Sequence, residues 1–220
     1  VSDASRDLRL DAQLAFVREL DRLKLVLRRT SVGGGSRREN SAEHSWHLAT
    51  TALVLGEHAP PGVDLGRALR MLLVHDVVEI DADDTFAFAA IADPAVATAQ
   101  AERERRAADR LFGMLPPEQG AELRALWVEF ESGATEGGTP TARFAVALDR
   151  LAGMLQNAAN AGGTWREHGI TVAAAYRRMA PIREGAPALW PLVERTIADA
   201  AAAGHLLGTG ALQDREEQEG

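Results

Sequence analysis

Residues 72–81, LLVHDVVEID, set a histidine, two aspartates and a glutamate among leucine, valine and isoleucine. Upstream, Leu65, Ala68, Leu69 and Leu72 recur at the spacing of one helix face. Carrying the 3.6-residue period forward places Asp76 and Glu79 on that inward face, with His75 at its edge. Ionised carboxylates are costly to bury unless something pairs them. Three inward polar groups within five residues therefore need a shared partner. One candidate is a divalent metal, since imidazole and carboxylate together suit several transition metals. The other is a buried ion-pair network with arginines.

Outward from this stretch the chain reads as helix almost throughout, and no segment keeps a strand-like alternation for long. The pattern predicts a first helix over Leu8–Arg29, with Phe16, Leu20, Leu23 and Leu27 on its apolar face. It ends at the loop SVGGGS. A second helix follows Asn40, a candidate N-cap with Glu43 placed to close a capping box. The third begins after Asp64 and runs through the opening stretch. Pro94 opens a long helix whose charge block, AERERRAADR, reads as a solvated face. Thr139 and Pro140 read as N-cap and first-turn proline of a helix holding Asp149. Two further helices are expected near 171–179 and 187–203. The expected organisation is one all-α helical domain over 1–206 and an acidic tail over 207–220, with the composition of a disordered segment.

Two more residues are candidates for the same centre. His44 shares its helix face with Leu48 and Leu55. A lone histidine there is more often a core residue than a ligand, and its neighbours Glu43 and His47 tilt the balance slightly toward a ligand. Asp149 has small neighbours a turn away on either side, Ala145 and Gly153, which leave room around its carboxylate. A salt bridge to an arginine would explain it equally well when it is read alone.

The bulk composition narrows the function classes. A net charge of -8 argues against a polyanionic polymer such as nucleic acid as the main partner, though not against a small phosphorylated ligand. The absence of cysteine excludes disulfides, thiol catalysis and thiolate metal sites. No apolar run reaches membrane length and no signal-peptide pattern is present, so the expected setting is the cytoplasm, without membrane contact.

Taken together, RRENSAEHSWHLA, MLLVHDVVEIDADD, ALWVEFE and RFAVALDRL, in this order between about Leu14 and Trp165, resemble the HD-domain phosphohydrolases, in the branch related to 5′-deoxynucleotidases. The resemblance implies an all-α HD bundle with one divalent metal ion (Mn, Co, Mg or Ni) held by His44, His75, Asp76 and Asp149. It implies Glu79 as the essential catalytic carboxylate. Asp84, with Thr85, Phe86 and Ala87, is placed beside the nucleotide, and Asp84 shares the handling of water or protons. Where the family usually carries Gly-Asp, this chain carries Asp83-Asp84. Counting back from His44 places the phosphate-orienting arginine at Arg29, with Arg28 as the alternative. Thr30 stands where deoxynucleotidases place a tryptophan, so weak discrimination against ribose is expected. Arg37 and Arg38 are further phosphate candidates, and His47 is expected to support His44.

The implied activity is release of phosphate from nucleoside 5′-monophosphates by a protein that can pair as a homodimer. Two other classes stay open. One is a phosphatase of a non-nucleotide phosphorylated metabolite; the other is a non-catalytic nucleotide-binding protein on the same fold. The di-iron oxygenases built on this fold need additional histidines between the HD pair and the late aspartate, and between Asp76 and Asp149 there are none.

Overall fold

The structure, a computed structural model, describes residues 3–84, 88, 93–135 and 137–208. Thr85, Phe86 and Ala87 lie outside the described residues, as does the acidic tail from 209 onward. The chain is helical, as its pattern predicts. Helices α1 (Asp3–Leu20), α2 (Ser41–Leu55) and α3 (Leu65–Val74) are followed by α4 (Glu79–Ala82), α5 (Pro94–Phe112), α6 (Pro117–Ser132) and α7 (Pro140–Ala159). Then come α8 (Gly163–Glu167), α9 (Val172–Met179), α10 (Pro181–Gly185) and α11 (Trp190–Ala202).

The helix starts follow local chemistry. Asn40 accepts from the Glu43 backbone N–H while the Glu43 side chain accepts from the Asn40 N–H, closing the expected capping box. Asp64 and Thr139 cap α3 and α7 by accepting from the Arg67 and Ala142 backbone N–H groups, and Pro140 supplies the first turn of α7.

Helix α7 is the central element and packs against α2, α3, α6 and α10. Phe144, Ala145, Leu148, Leu151 and Met154 are fully buried along it. Its contact with α10 is close because Gly185 has no side chain: a Cβ there would lie 2.1 Å from the Arg143 carbonyl oxygen. A second apolar cluster joins Phe16 and Leu23 to Val77, Val78, Ile80, Leu111 and Phe112. The opening stretch lies between the two cores, with Met71 and Leu72 in the first and Val77, Val78 and Ile80 in the second. Burying each of these side chains is worth roughly 1.5–3 kcal/mol, so the segment is clamped on both sides.

Three expectations need correction. The first helix stops at Leu20; residues Asp21–Leu25 form a 3₁₀ turn, and Leu27–Ser31 is a strand, β1. This strand pairs antiparallel with β2 (Arg38–Asn40), through Leu27 opposite Asn40 and Ser31 opposite Arg38. Gly34 and Gly35, both at positive φ, turn the chain between them. Second, the third helix is not continuous: α3 ends at Val74, His75–Val78 is a 3₁₀ segment, and α4 resumes at Glu79. A 3₁₀ turn has three residues, so Asp76 and Glu79 align more closely than on an α-helix. Their shared inward face survives the correction: His75, Asp76 and Glu79 are all buried. Third, the packed chain runs slightly past 206, because the Leu207 N–H bonds the Ile170 carbonyl and the Leu207 carbonyl accepts from Val172.

Asp83, which ends α4, has φ 58 and ψ 158. This backbone region is close to glycine-only, and holding another residue there costs about 1–3 kcal/mol. A glycine here, which the resemblance leads one to expect in place of Asp83, would carry no such cost. Asp83→Gly should therefore stabilise the protein by about 1 kcal/mol, raising Tm by roughly 2–4 °C. Thermal melts of the two proteins check this, and a lower Tm in the variant would contradict it.

Candidate metal and phosphate site

His44 of α2, His75 of the 3₁₀ segment and Asp149 of α7 meet at the junction of the two cores. One ligand atom from each lies within 4.8 Å of the other two, and all three residues are buried. The histidines are oriented from behind. The Nδ1 of His75 is 2.9 Å from the Leu72 carbonyl oxygen, to which it donates. The Nδ1 of His44 is 3.1 Å from Glu39 Oε2. Each contact turns the ring's Nε2 toward the cluster, as is usual for metal-binding histidines. His44 Nε2 lies 3.0 Å from Asp149 Oδ1. His75 Nε2 lies 2.9 Å from Asp76 Oδ1 at an angle that makes no hydrogen bond, and it has no hydrogen-bond partner.

That orphaned buried nitrogen is the test of whether a cation fits. Two imidazole nitrogens and carboxylate oxygens from Asp149 and Asp76 converge there, a donor set suited to a divalent transition ion. His44, His75 and Asp149 could hold one, with Asp76 beside them.

Electrostatics agree. Burial pushes the pKa of Asp76 up, but His75 and Arg28 outweigh it and hold it at about 2. Burial likewise opposes the charge on Asp149, and the His44 bond together with Arg150 takes its pKa well below the usual carboxylate range. For Glu79, burial and the Asp76 charge act in the same direction and raise its pKa well above normal, against Arg28. Ser41 donates to Glu79 Oε2 at 2.5 Å, which fixes the carboxyl in place. Burial also raises Asp84, whose Oδ2 accepts from the Arg29 backbone N–H at 3.1 Å.

The strand settles how the two consecutive arginines differ. Successive residues of β1 face opposite ways, so Arg28 points inward and the Arg29 side chain is exposed. Arg28 Nη1 donates to Asp76 Oδ2 at 2.7 Å, and the guanidinium lies within 4.0 Å of Glu39, Glu79 and Asp149. Arg29, Thr30 and Asp84 line the same cavity, of about 430 Å³. Arg37 forks onto Glu43, Arg38 is exposed on β2, and His47 is exposed, so the support expected from His47 comes from Glu39 instead.

Residues not singled out in the sequence also line the cavity. Glu104 of α5 and Glu131 of α6 also line it, with Glu131 at its exposed rim. Arg150, bonded to Asp149 at 2.6 Å, and Arg178 of α9 complete the charged lining. Glu104 corrects the view of its helix as a purely solvated charge block. Gln100, Glu104, Ala108 and Leu111 recur on one side of α5, which was a legible signal.

A helical scaffold with a buried His–His–Asp centre, one of whose imidazole nitrogens lacks a hydrogen-bond partner, and an arginine-lined cavity defines the class of metal-dependent phosphohydrolase. The chain belongs to the HD domain family, whose sequence model matches residues 20–190. The crystal structure of a predicted metal-dependent phosphohydrolase from Magnetospirillum magnetotacticum MS-1 superposes with a TM-score of 0.81 at 49% identity, covering 90% of this chain and 95% of that one. The 5′-deoxynucleotidase HDDC2 of Homo sapiens is 29% identical over 144 residues, 65% of this chain and 65% of that protein. Its Bos taurus counterpart is 31% identical over 145 residues, with 65% of each chain covered. The chain thus spans about two thirds of the length of the curated relatives it matches. Among the described residues, no helix is long and apolar enough to cross a membrane.

Proposed function

We propose that the protein releases phosphate from nucleoside 5′-monophosphates, with His44, His75, Asp76 and Asp149 holding one divalent ion of the Mn, Co, Mg or Ni type. The observation that carries this reading is the meeting, in one cavity, of the His–His–Asp cluster, the Ser41-bonded carboxyl of Glu79 and several arginines. When bound, the ion supplies electrophilic polarisation of the phosphoryl group and acidifies water.

Everything else falls to the chain. Glu79, with its proton affinity raised, takes a proton from the attacking water as the water oxygen bonds to phosphorus. The ester P–O bond breaks, and Asp84 carries a proton to the leaving 5′ oxygen. Arg28 keeps the carboxylates in register. Arg29, Thr30 and Asp84, together with Thr85, Phe86 and Ala87, are proposed to contact the substrate. Glu104 and Glu131 offer acceptors for the amino groups of a base. Self-association is proposed as well, supported by Trp46, Leu53 and Val54, which are 66–70% exposed on α2. A monomeric mass by light scattering would remove it.

The function is tested by measuring phosphate release over ribo- and deoxynucleoside mono-, di- and triphosphates with each metal. Monophosphates should be preferred. Because Thr30 replaces the family's aromatic residue, kcat/KM for AMP and dAMP should differ by less than ~100-fold, or about 2.7 kcal/mol. No release from any nucleotide, with release from another phosphate ester, would shift the reading to a non-nucleotide phosphatase.

Metal affinity should depend on pH in a defined direction. Burial lowers the His75 pKa, but Asp76 and Asp149 outweigh it and lift the metal-free imidazole to about 9. An ion can bind Nε2 only after that proton leaves. Apparent affinity should therefore fall by up to tenfold per pH unit as pH drops through the range from about 8.5 to 6.5. Calorimetry in buffers of different ionisation enthalpy should show close to one proton released per ion at neutral pH. A pH-independent affinity with no proton release would contradict this.

A further inference from the structure

The cavity contains one inward arginine that the carboxylates do not occupy. Arg28 is engaged by Asp76, Glu79, Glu39 and Asp149, and Arg150 is bonded to Asp149 Oδ2. Arg178, in the last turn of α9, lines the same cavity beside the buried Met179 and makes no hydrogen bond or ion pair among the described residues. Its neighbour Arg177 is exposed, so the helix presents one arginine to solvent and one to the cavity.

The surroundings of Arg178 are unfavourable to a lone cation. Burial is the largest influence on its guanidinium and Arg150 the next, and together with Arg28 they push its pKa down to about 9. Asp149 and Asp84 act in the opposite direction without bonding it. Gathering four arginines around one cavity, with the inward Arg178 side chain left without a partner, is costly unless an anion completes the set. A guanidinium fork matches two oxygens of a phosphate group, and that match is strongest where water is displaced.

We propose that Arg178 is a substrate-binding residue that takes the oxygens of the substrate's phosphate, leaving Arg28 to hold the carboxylates in place. This rests on the phosphomonoesterase reading, but the anion contact is independent of what the phosphate is attached to. Inorganic phosphate carries the same group and is the probe.

The test uses the metal-loaded full chain as wild type, Arg178→Gln and Arg178→Lys. Calorimetry measures inorganic phosphate affinity, and steady-state kinetics measure KM and kcat. Arg178→Gln should weaken phosphate about tenfold or more and raise KM similarly, from loss of one charge-assisted contact. Metal content should stay intact and Tm should not fall. Arg178→Lys should recover part of the loss, since it keeps the charge but not the fork. Phosphate affinity equal to wild type in Arg178→Gln, or no phosphate binding by the wild type at millimolar concentration, would overturn the proposal. If Arg178→Gln does not fold, an unchanged affinity in Arg178→Lys overturns it and a weakened one supports it. Weakened phosphate binding in a protein that hydrolyses no nucleotide would leave Arg178 in its role and remove the nucleotidase reading. Nucleotide hydrolysis with unaltered phosphate affinity in the variant would do the reverse.

Discussion

His75→Ala and Asp149→Ala are expected to lose bound metal and phosphate release together. Both side chains are buried where His44, His75 and Asp149 come within 4.8 Å of one another, and each supplies one ligand atom to the cluster. An ion that binds the folded state at 100 to 1,000 times its dissociation constant stabilises by about 3–4 kcal/mol. For a chain of this size that corresponds to roughly 5–15 °C in Tm. The informative comparison is the shift in Tm on adding metal to each metal-free protein. It isolates the ion from the local damage that Asp149→Ala causes by leaving His44 and Arg150 without their bonds. The wild type should shift upward and both variants should not. If Asp149→Ala keeps full occupancy and full turnover, Asp149 is not a ligand.

The second expectation separates two carboxylates three residues apart. Glu79→Gln keeps the shape and can still accept from Ser41, but it removes charge and basicity. It should retain metal and substrate binding while kcat falls ~10²-fold or more, the usual size of a general acid–base contribution. Asp76→Asn should weaken the metal site itself, because Asp76 Oδ1 lies 2.9 Å from the free His75 Nε2. It should also loosen Arg28, which donates to the other oxygen. Metal content, substrate affinity and kcat on both variants decide the matter. Normal turnover in Glu79→Gln, or loss of metal equal to that of Asp76→Asn, would contradict this division of roles.

The parts legible in the sequence were those in which helical periodicity conflicted with chemistry. Asp76 and Glu79 are polar groups on a face otherwise apolar, and the period alone turned them inward; His44 and Asp149 joined them only through the family resemblance. The caps at Asn40, Asp64 and Thr139 were legible for a local reason, since side chain and partner lie three residues apart. The choice between Arg28 and Arg29 was not, because both sit on a five-residue strand whose existence depends on pairing with three residues across a glycine turn. The helix period of α1 ran smoothly into that strand and carried no sign of the change. Glu39 was not singled out either. Its burial comes from contacts with His44 and with Gln156 of α7, far along the chain. Arg178 lies in an ordinary basic helix end, and only the tertiary packing of α9 turns it inward. The 3₁₀ break at His75–Val78 was hidden as well, because three- and four-residue spacings place Asp76 and Glu79 on nearly the same side.

One ion at the His44–His75–Asp149 centre, with Asp76 beside it, is proposed to drive phosphate release. The most direct test is to titrate metal-free protein with Mn²⁺ while recording bound ions per chain and phosphate release from a nucleoside monophosphate on the same samples. Release should be absent without metal, rise in proportion to occupancy, and saturate at one ion per chain. Release from metal-free protein, or saturation only at two ions, would contradict the account.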